Sequence, residues 1–244
     1  MKFSLARPAL ALAIMATLAS CGGGGKATYP VNVTVTGLLY PGLTMSTNGM
    51  DVDVAPPAKA GDDVSFTFPN EIEYGVIYNV VPKGANLTSS PATYGKQPLH
   101  QTCLPATTYP RSLPHTATAG QLARIQVNYD CTMNAYPLTG VVKGLTGTGL
   151  VVANGSSSSV TLSPVLDANN KPTGADVALV LGNVVWNQTY GVTVLTQPTG
   201  QTCKVTAGGD NGTGGGTMTD TNTSNSLAET KGVTNLVVTC VASS

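Results

Sequence analysis

The sequence predicts an all-β protein built from two tandem β-sandwich modules, set behind an export signal and a glycine-rich tether. Three observations carry that expectation. Apolar and polar residues alternate with a period of two in short runs such as Val31-Asn32-Val33-Thr34-Val35 and Val64-Ser65-Phe66-Thr67-Phe68, the pattern of strands with one face in a core. One set of landmarks occurs twice in the same order. The composition has 28 Gly, 10% charged residues and 5% aromatic residues, which disfavours long helices and suits short strands joined by tight turns.

The amino-terminal segment comes first in the chain. Lys2 and Arg7 precede an apolar stretch from Pro8 to Ala19 that only Thr17 interrupts. The stretch has the length of a signal-peptide core and falls short of the about 20 residues that a membrane-spanning helix needs. It ends in Leu18-Ala19-Ser20-Cys21, which resembles the lipobox of bacterial lipoproteins. That resemblance implies cleavage before Cys21, a diacylglyceryl group on its thiol, and acylation of the new amine by a chain such as palmitate. Each buried CH₂ contributes roughly 0.8 kcal/mol, so several chains hold far more firmly than one. Lipoproteins with Asp after the cysteine stay at the inner membrane; Gly22 stands there, so the resemblance implies the outer membrane. Residues 1–20 are therefore read as signal peptide. Residues 21–27 are read as the lipidated cysteine and a flexible tether, reaching on the order of 13–15 Å.

The repeat organises the rest. Gly37, Gly42-Leu43 and Asn48-Gly49 recur as Gly144, Gly149-Leu150 and Asn154-Gly155. Asp63 to Phe68 corresponds to Asp176 to Leu181, Asn70 to Asn183, Tyr78 to Tyr190, and Gln101-Thr102-Cys103 to Gln201-Thr202-Cys203. Each copy closes on a strand ending in cysteine, at Cys131 and Cys240. The modules are accordingly placed at 28–133 and 136–244, joined by Thr132-Met133-Asn134-Ala135. A linker this short favours an end-to-end arrangement.

Within the second copy, strands are expected near 138–143, 149–153, 159–163, 176–181, 189–195, 202–206 and 234–241. Asn48-Gly49 and Asn154-Gly155 suit type I′ hairpin turns, whose two central residues need positive φ. Seven short strands in a module of this size point to a sandwich. The run of Gly, Gly-Leu, Asn-Gly, an apolar strand and Tyr-x-Val resembles Ig-like or prealbumin-like modules of bacterial envelope proteins. More narrowly, Gln197-Pro198-Thr199-Gly200-Gln201-Thr202-Cys203 and the terminal Val238-Thr239-Cys240 resemble tandem repeats of proteobacterial lipoproteins. The first copy departs from that motif through a long segment from Lys83 to His100. The resemblance implies Greek-key sandwiches and an envelope setting, and no activity.

With Cys21 assigned to lipid, four cysteines remain and three pairings are open. The repeat favours Cys103–Cys131 and Cys203–Cys240. Neither pair has metal-ligand spacing, so no metal and no cofactor are expected. The chain carries 12 Lys and Arg against 12 Asp and Glu. With Lys2 and Arg7 in the signal the remainder is slightly acidic, and no basic run exists, which excludes nucleic acid as an expected partner. No Gly-x-Ser-x-Gly, His-Glu-x-x-His or phosphate-loop motif is present, and no catalytic residue is assigned. His100, Arg111 and His115 lie in the irregular part of the first copy and are candidates to converge. Asp51 and Asp53 share a strand face where calcium is one reading and solvated charge the preferred one. Asp167-Ala168-Asn169-Asn170-Lys171 opens like a calcium loop, with Lys171 where an oxygen ligand belongs. Trp186, the single Trp, and Tyr190 are the residues proposed for a ligand contact; Trp186 corresponds to Tyr74 in the repeat, which favours a core or edge role. Gly208 to Ser226 reads as an exposed, mobile loop. The expected function is a non-enzymatic, lipid-anchored envelope protein with a structural, adhesive or partner-binding role. The alternative is a glycan-binding surface lipoprotein. The membrane, through Cys21, and an unidentified protein or glycan are the expected partners.

Overall fold

The computed structural model describes residues 26–219 and 232–243, and among them every regular element is a β-strand. Residues 1–25, with the signal peptide, Cys21 and most of the tether, lie outside the described residues, as does the part of the expected mobile loop from 220 to 226.

The two copies fold alike. In the first, one sheet runs in the order Val64–Thr67, Val31–Thr36, Ile125–Met133, Gln101–Pro105, and faces a sheet of Met50–Val54, Leu43–Thr47 and Val81–Pro82. In the second, the order is Val177–Val185, Ala135–Lys143, Val233–Ala242, Gln201–Ala207, facing Ser158–Leu162, Leu150–Asn154, Thr189–Thr196 and Gly215–Thr217. In both, the first strand of the sandwich sheets, Val31–Thr36 or Ala135–Lys143 (the two-residue Thr28–Tyr29 precedes the former and pairs with Ile72–Glu73), pairs in parallel with the last, Val31 beside Ile125 and Leu138 beside Val233. The architecture is an Ig-like sandwich with its own wiring. Antibody constant domains pair the first strand with the second in one sheet; here the first and second strands of each copy belong to opposite sheets.

Alternation explains why these segments are strands and which face is inside. Val31, Val33 and Val35 are buried and meet Ile125, Val127 and Tyr129 of the neighbouring strand, while Asn32, Thr34 and Thr36 stand on the other face. Each module has its own core, the first around Leu43, Met45, Tyr78 and Tyr129, the second around Leu138, Leu150, Tyr190 and Leu236. Fully burying a side chain of this size contributes about 1.5–3 kcal/mol. The disulfides pair within each copy, Cys103–Cys131 and Cys203–Cys240, and each joins directly opposed residues of the last strand and its antiparallel neighbour. Closing separations of 28 and 37 residues is worth roughly 3.5–4 kcal/mol each on the chain-entropy account.

The shared landmarks now have reasons. Gly37 and Gly144 follow the first strand at φ 74° and 71°, and a Cβ there would come within 2.7 Å of the Cys131 carbonyl oxygen and 2.9 Å of that of Cys240. Gln101 sits buried with Oε1 accepting the backbone N–H groups of Leu39 and Tyr40 (2.8 and 3.1 Å) and Nε2 donating to the Gly37 carbonyl (2.8 Å). Gln201 repeats this with Thr146, Gly147 and Gly144.

The structure departs from the sequence expectations at four places. Asn48-Gly49 does form the two-residue turn, with φ 47° and 78° between the paired Thr47 and Met50. Asn154-Gly155 does not: Asn154 stays in the strand opposite Ser158 because its Oδ1 accepts the Gly191 N–H (2.9 Å), so the loop is one residue longer. The linker shrinks to Asn134 alone, because strands extend through Met133 and from Ala135. Within the expected mobile loop, Gly215–Thr217 pairs with Thr189–Gly191, the Asp210 carboxylate accepts the Thr217 N–H (2.8 Å), and Met218 is fully buried. Fourth, the first copy does carry the Gln-Pro motif, as Gln97-Pro98-Leu99-His100-Gln101-Thr102-Cys103. Gln97 exchanges two hydrogen bonds with the backbone of Cys103, as Gln197 does with Cys203. His100 replaces Gly200 and keeps its left-handed backbone, φ 59° against 70°.

Removing a buried acceptor that serves two N–H groups costs about 1–3 kcal/mol per orphaned group. Gln201→Leu, which orphans two such groups, is therefore expected to lower the urea-unfolding stability of the second module by about 2–6 kcal/mol. An unchanged midpoint would contradict the assignment of that amide.

Candidate functional site

Among the described residues, two places gather side chains that the repeat alone does not require: the junction between the modules, and the irregular loops of the first module.

At the junction, Asn134 is bonded to both sides. Its N–H donates to the His100 carbonyl (2.8 Å), its carbonyl accepts the Trp186 N–H (2.8 Å), and its side-chain Oδ1 accepts the Thr102 hydroxyl (2.7 Å). The His100 and Trp186 rings stack with centroids 3.8 Å apart and planes 9° from parallel, and Tyr40 meets both edge-on at 5.3 and 5.4 Å. Such aromatic pairs contribute about 0.5–1.5 kcal/mol beyond area burial. Trp186 is half-buried and also packs against the second core. Its stacked face is taken by His100, so that face offers no platform to a sugar. Tyr190 is buried in the second core, with its hydroxyl 3.5 Å from Asp210; burial, then the neighbouring carboxylate, raises its pKa. Tyr74, equivalent to Trp186, is 59% exposed and its ring lies over Gly120, where a Cβ would be 2.3 Å from it.

His100, Arg111 and His115 are held by different partners and form no common site. Arg111 lies over the outer face of the sheet, paired with Asp130 (2.9 Å) and near Asp63 (3.9 Å), and its guanidinium donates to Thr36. Asn128 donates to the Arg111 carbonyl (2.8 Å), so the loop is tied down at both side chain and backbone. His115 is half-buried on the opposite end of that loop, its carbonyl accepting the Val80 N–H (2.8 Å), and burial pushes its pKa below 6.5. The Lys83–His100 segment is ordered by the paired Asn86 and Thr93 and by Asn86 Oδ1, which accepts the N–H groups of Thr88 and Ser89.

The acidic pairs are neutralised locally. Asp51 and Asp53 do share the exposed face of their strand, but Lys83 pairs with Asp51 at 2.6 Å and Lys96 reaches Asp53 at 3.9 Å. The Lys83 hydrogen bond lowers the Asp51 pKa and the same contact raises that of Lys83. Asp167 folds back on its own loop, Oδ1 accepting the N–H groups of Asn169 (2.8 Å) and Lys171 (2.9 Å), which makes the stretch a turn. Among the described residues, no three His, Cys, Asp or Glu side chains gather in a way that would hold a metal ion.

No family model matches the chain, and no curated protein does. Two solved structures of Streptococcus pyogenes major pilins are similar. The T-13 pilin is 11% identical, with 89% of this chain and 98% of that chain covered, at a TM-score of 0.24. The second is 12% identical, with 88% and 98% covered, at 0.20. At those TM-scores neither likeness carries an argument.

A histidine whose charged form is desolvated destabilises the fold as it protonates. Stability is unaffected well above pH 6.5 and falls as pH drops through the unfolded value toward the lower folded one. NMR titration is expected to place the His115 midpoint below 6.5, and His115→Gln should reduce the loss of Tm between about pH 7.5 and 5.5. A His115 midpoint at or above 6.5 would refute the burial argument.

Proposed function

We propose that this chain is a non-catalytic, lipid-anchored protein of the bacterial cell envelope, held at the outer membrane through Cys21, with a structural, adhesive or partner-binding role. The observation that supports this best is the junction. A single linking residue bonded to both modules, with a three-ring contact across it, couples the second sandwich to the first. The second module is thereby held at a fixed remove from the tether, as a spacer or presenting arm requires. Each module is stitched by its own disulfide, which suits an oxidising compartment. The glycan-binding alternative drew on Trp186, and the stacking of His100 on that ring favours the structural or partner-binding reading.

The anchor is tested by metabolic labelling with a fatty-acid analogue in the native bacterium, followed by fractionation. The wild type is expected to carry label and to sediment with outer membranes. Cys21→Ala is expected to carry none and to accumulate as unprocessed precursor. Equal labelling of the two would remove the anchor from the account.

A further inference from the structure

We infer that the irregular loops of the first module form a binding site for an uncharged, largely hydrocarbon or aromatic small molecule. Leu87 and Tyr94 come from the Lys83–His100 segment, Leu104 from the edge strand Gln101–Pro105, and Leu113, Pro114 and His115 from the following loop. Together they line a concavity of about 550 Å³, within the roughly 300–1,000 Å³ typical of small-molecule sites.

The chemistry of the lining sets the ligand class. Among the described residues, no acidic side chain, lysine or arginine borders the concavity. Arg111, on the same loop, points its guanidinium to Asp130 and Thr36 instead. Of the described lining residues, His115 is the one able to carry positive charge near neutral pH, and its burial disfavours that charge. An ionised ligand entering this lining would lose hydration with no opposite charge to meet it, whereas an apolar one loses nothing comparable. Hydroxyls at Thr107 and Ser112 on the lining suit a single polar group on such a ligand.

The walls are fixed before any ligand arrives, which lowers the ordering cost of binding. Asn86 and Thr93 are paired backbone to backbone at 2.9 and 3.0 Å on one side. Asn128 and Asp130 hold Arg111 on the other. Among the described residues, the loops that line the concavity are not repeated in the second module. The stretch corresponding to the Thr107–His115 loop is the glycine turn Gly208 to Gly214, which closes so tightly that a Cβ at Gly208 or Gly209 would lie 2.5 or 2.7 Å from backbone oxygen. The site is thus a property of the first copy's own loops and not of the repeated fold.

The experiment uses the full chain from residue 22, produced with both disulfides formed, and the neutral fluorophore N-phenyl-1-naphthylamine beside the anionic 1-anilinonaphthalene-8-sulfonate. The neutral probe is expected to bind saturably at one site. Ala92→Trp, which fills the concavity, and Leu113→Glu, which puts a carboxylate on its wall, are each expected to weaken it more than about tenfold. Val180→Glu, on an exposed position of the second module, should leave binding unchanged, and circular dichroism checks that every variant folds. Neutral-probe binding that survives both first-module variants, or that Val180→Glu abolishes, would overturn the site. Equal or tighter binding of the anionic probe at the same site would overturn the ligand class.

Discussion

The rest of the structure depends on the placement of one strand in each module, the last. It lies inside its sheet, parallel to the first strand on one side and antiparallel to the disulfide-linked strand on the other. Nearly a whole module of chain must be threaded before that strand arrives, so its contacts are long-range and carry the loop-closure cost of the fold. Three devices offset the cost at one spot. The disulfide ties the arriving strand to its neighbour. The left-handed glycine after the first strand lets the backbone cross the cysteine carbonyl. The buried glutamine beside the cysteine closes the turn that this glycine opens.

The same strand joins the modules. In the first copy it runs to Met133 and hands over to the Ala135–Lys143 strand through Asn134. At the end of the second copy, Ser243 occupies the equivalent place, its N–H donating to Gly200 (3.0 Å) as that of Asn134 donates to His100. The two ends then differ in a telling way. The first module presents Tyr40 and His100 to its successor, whereas the equivalent positions in the second are Gly147 and Gly200. Docking of one module on the next is written in ring-bearing residues on an otherwise shared backbone.

Much of the fold was legible because it rests on local periodicity and repetition. The alternation at Val31–Val35 and the equivalence of the Gln-Thr-Cys motifs both report how side chains meet a core, and both appear in the structure as expected. What sequence reading missed has physical causes. Asn154 carries the hairpin dipeptide, but its side chain is committed to the neighbouring strand. Gln97-Pro98 went unmatched because His100 stands where the motif has glycine, and only the backbone φ shows the two to be alike. Glycine-rich composition predicts mobility over 208–226, yet in its described part, 208–219, the glycines permit close approach to neighbouring strands. The ring contact at the junction joins Tyr40, His100 and Trp186, positions far apart in sequence that no spacing rule connects. The first module's concavity was equally hidden, since its walls come from segments with no periodic signal.

Native-state hydrogen exchange tests the central claim most directly. If the last strand is the keystone of each module, the slowest-exchanging amides in the described chain belong to Ile125–Met133 and Val233–Ala242 and to the first strands paired with them, approaching the global unfolding free energy. Edge strands such as Met50–Val54 and Ser158–Leu162 exchange faster. Last-strand amides that exchange as fast as those edge strands, with the disulfides intact, would contradict the account.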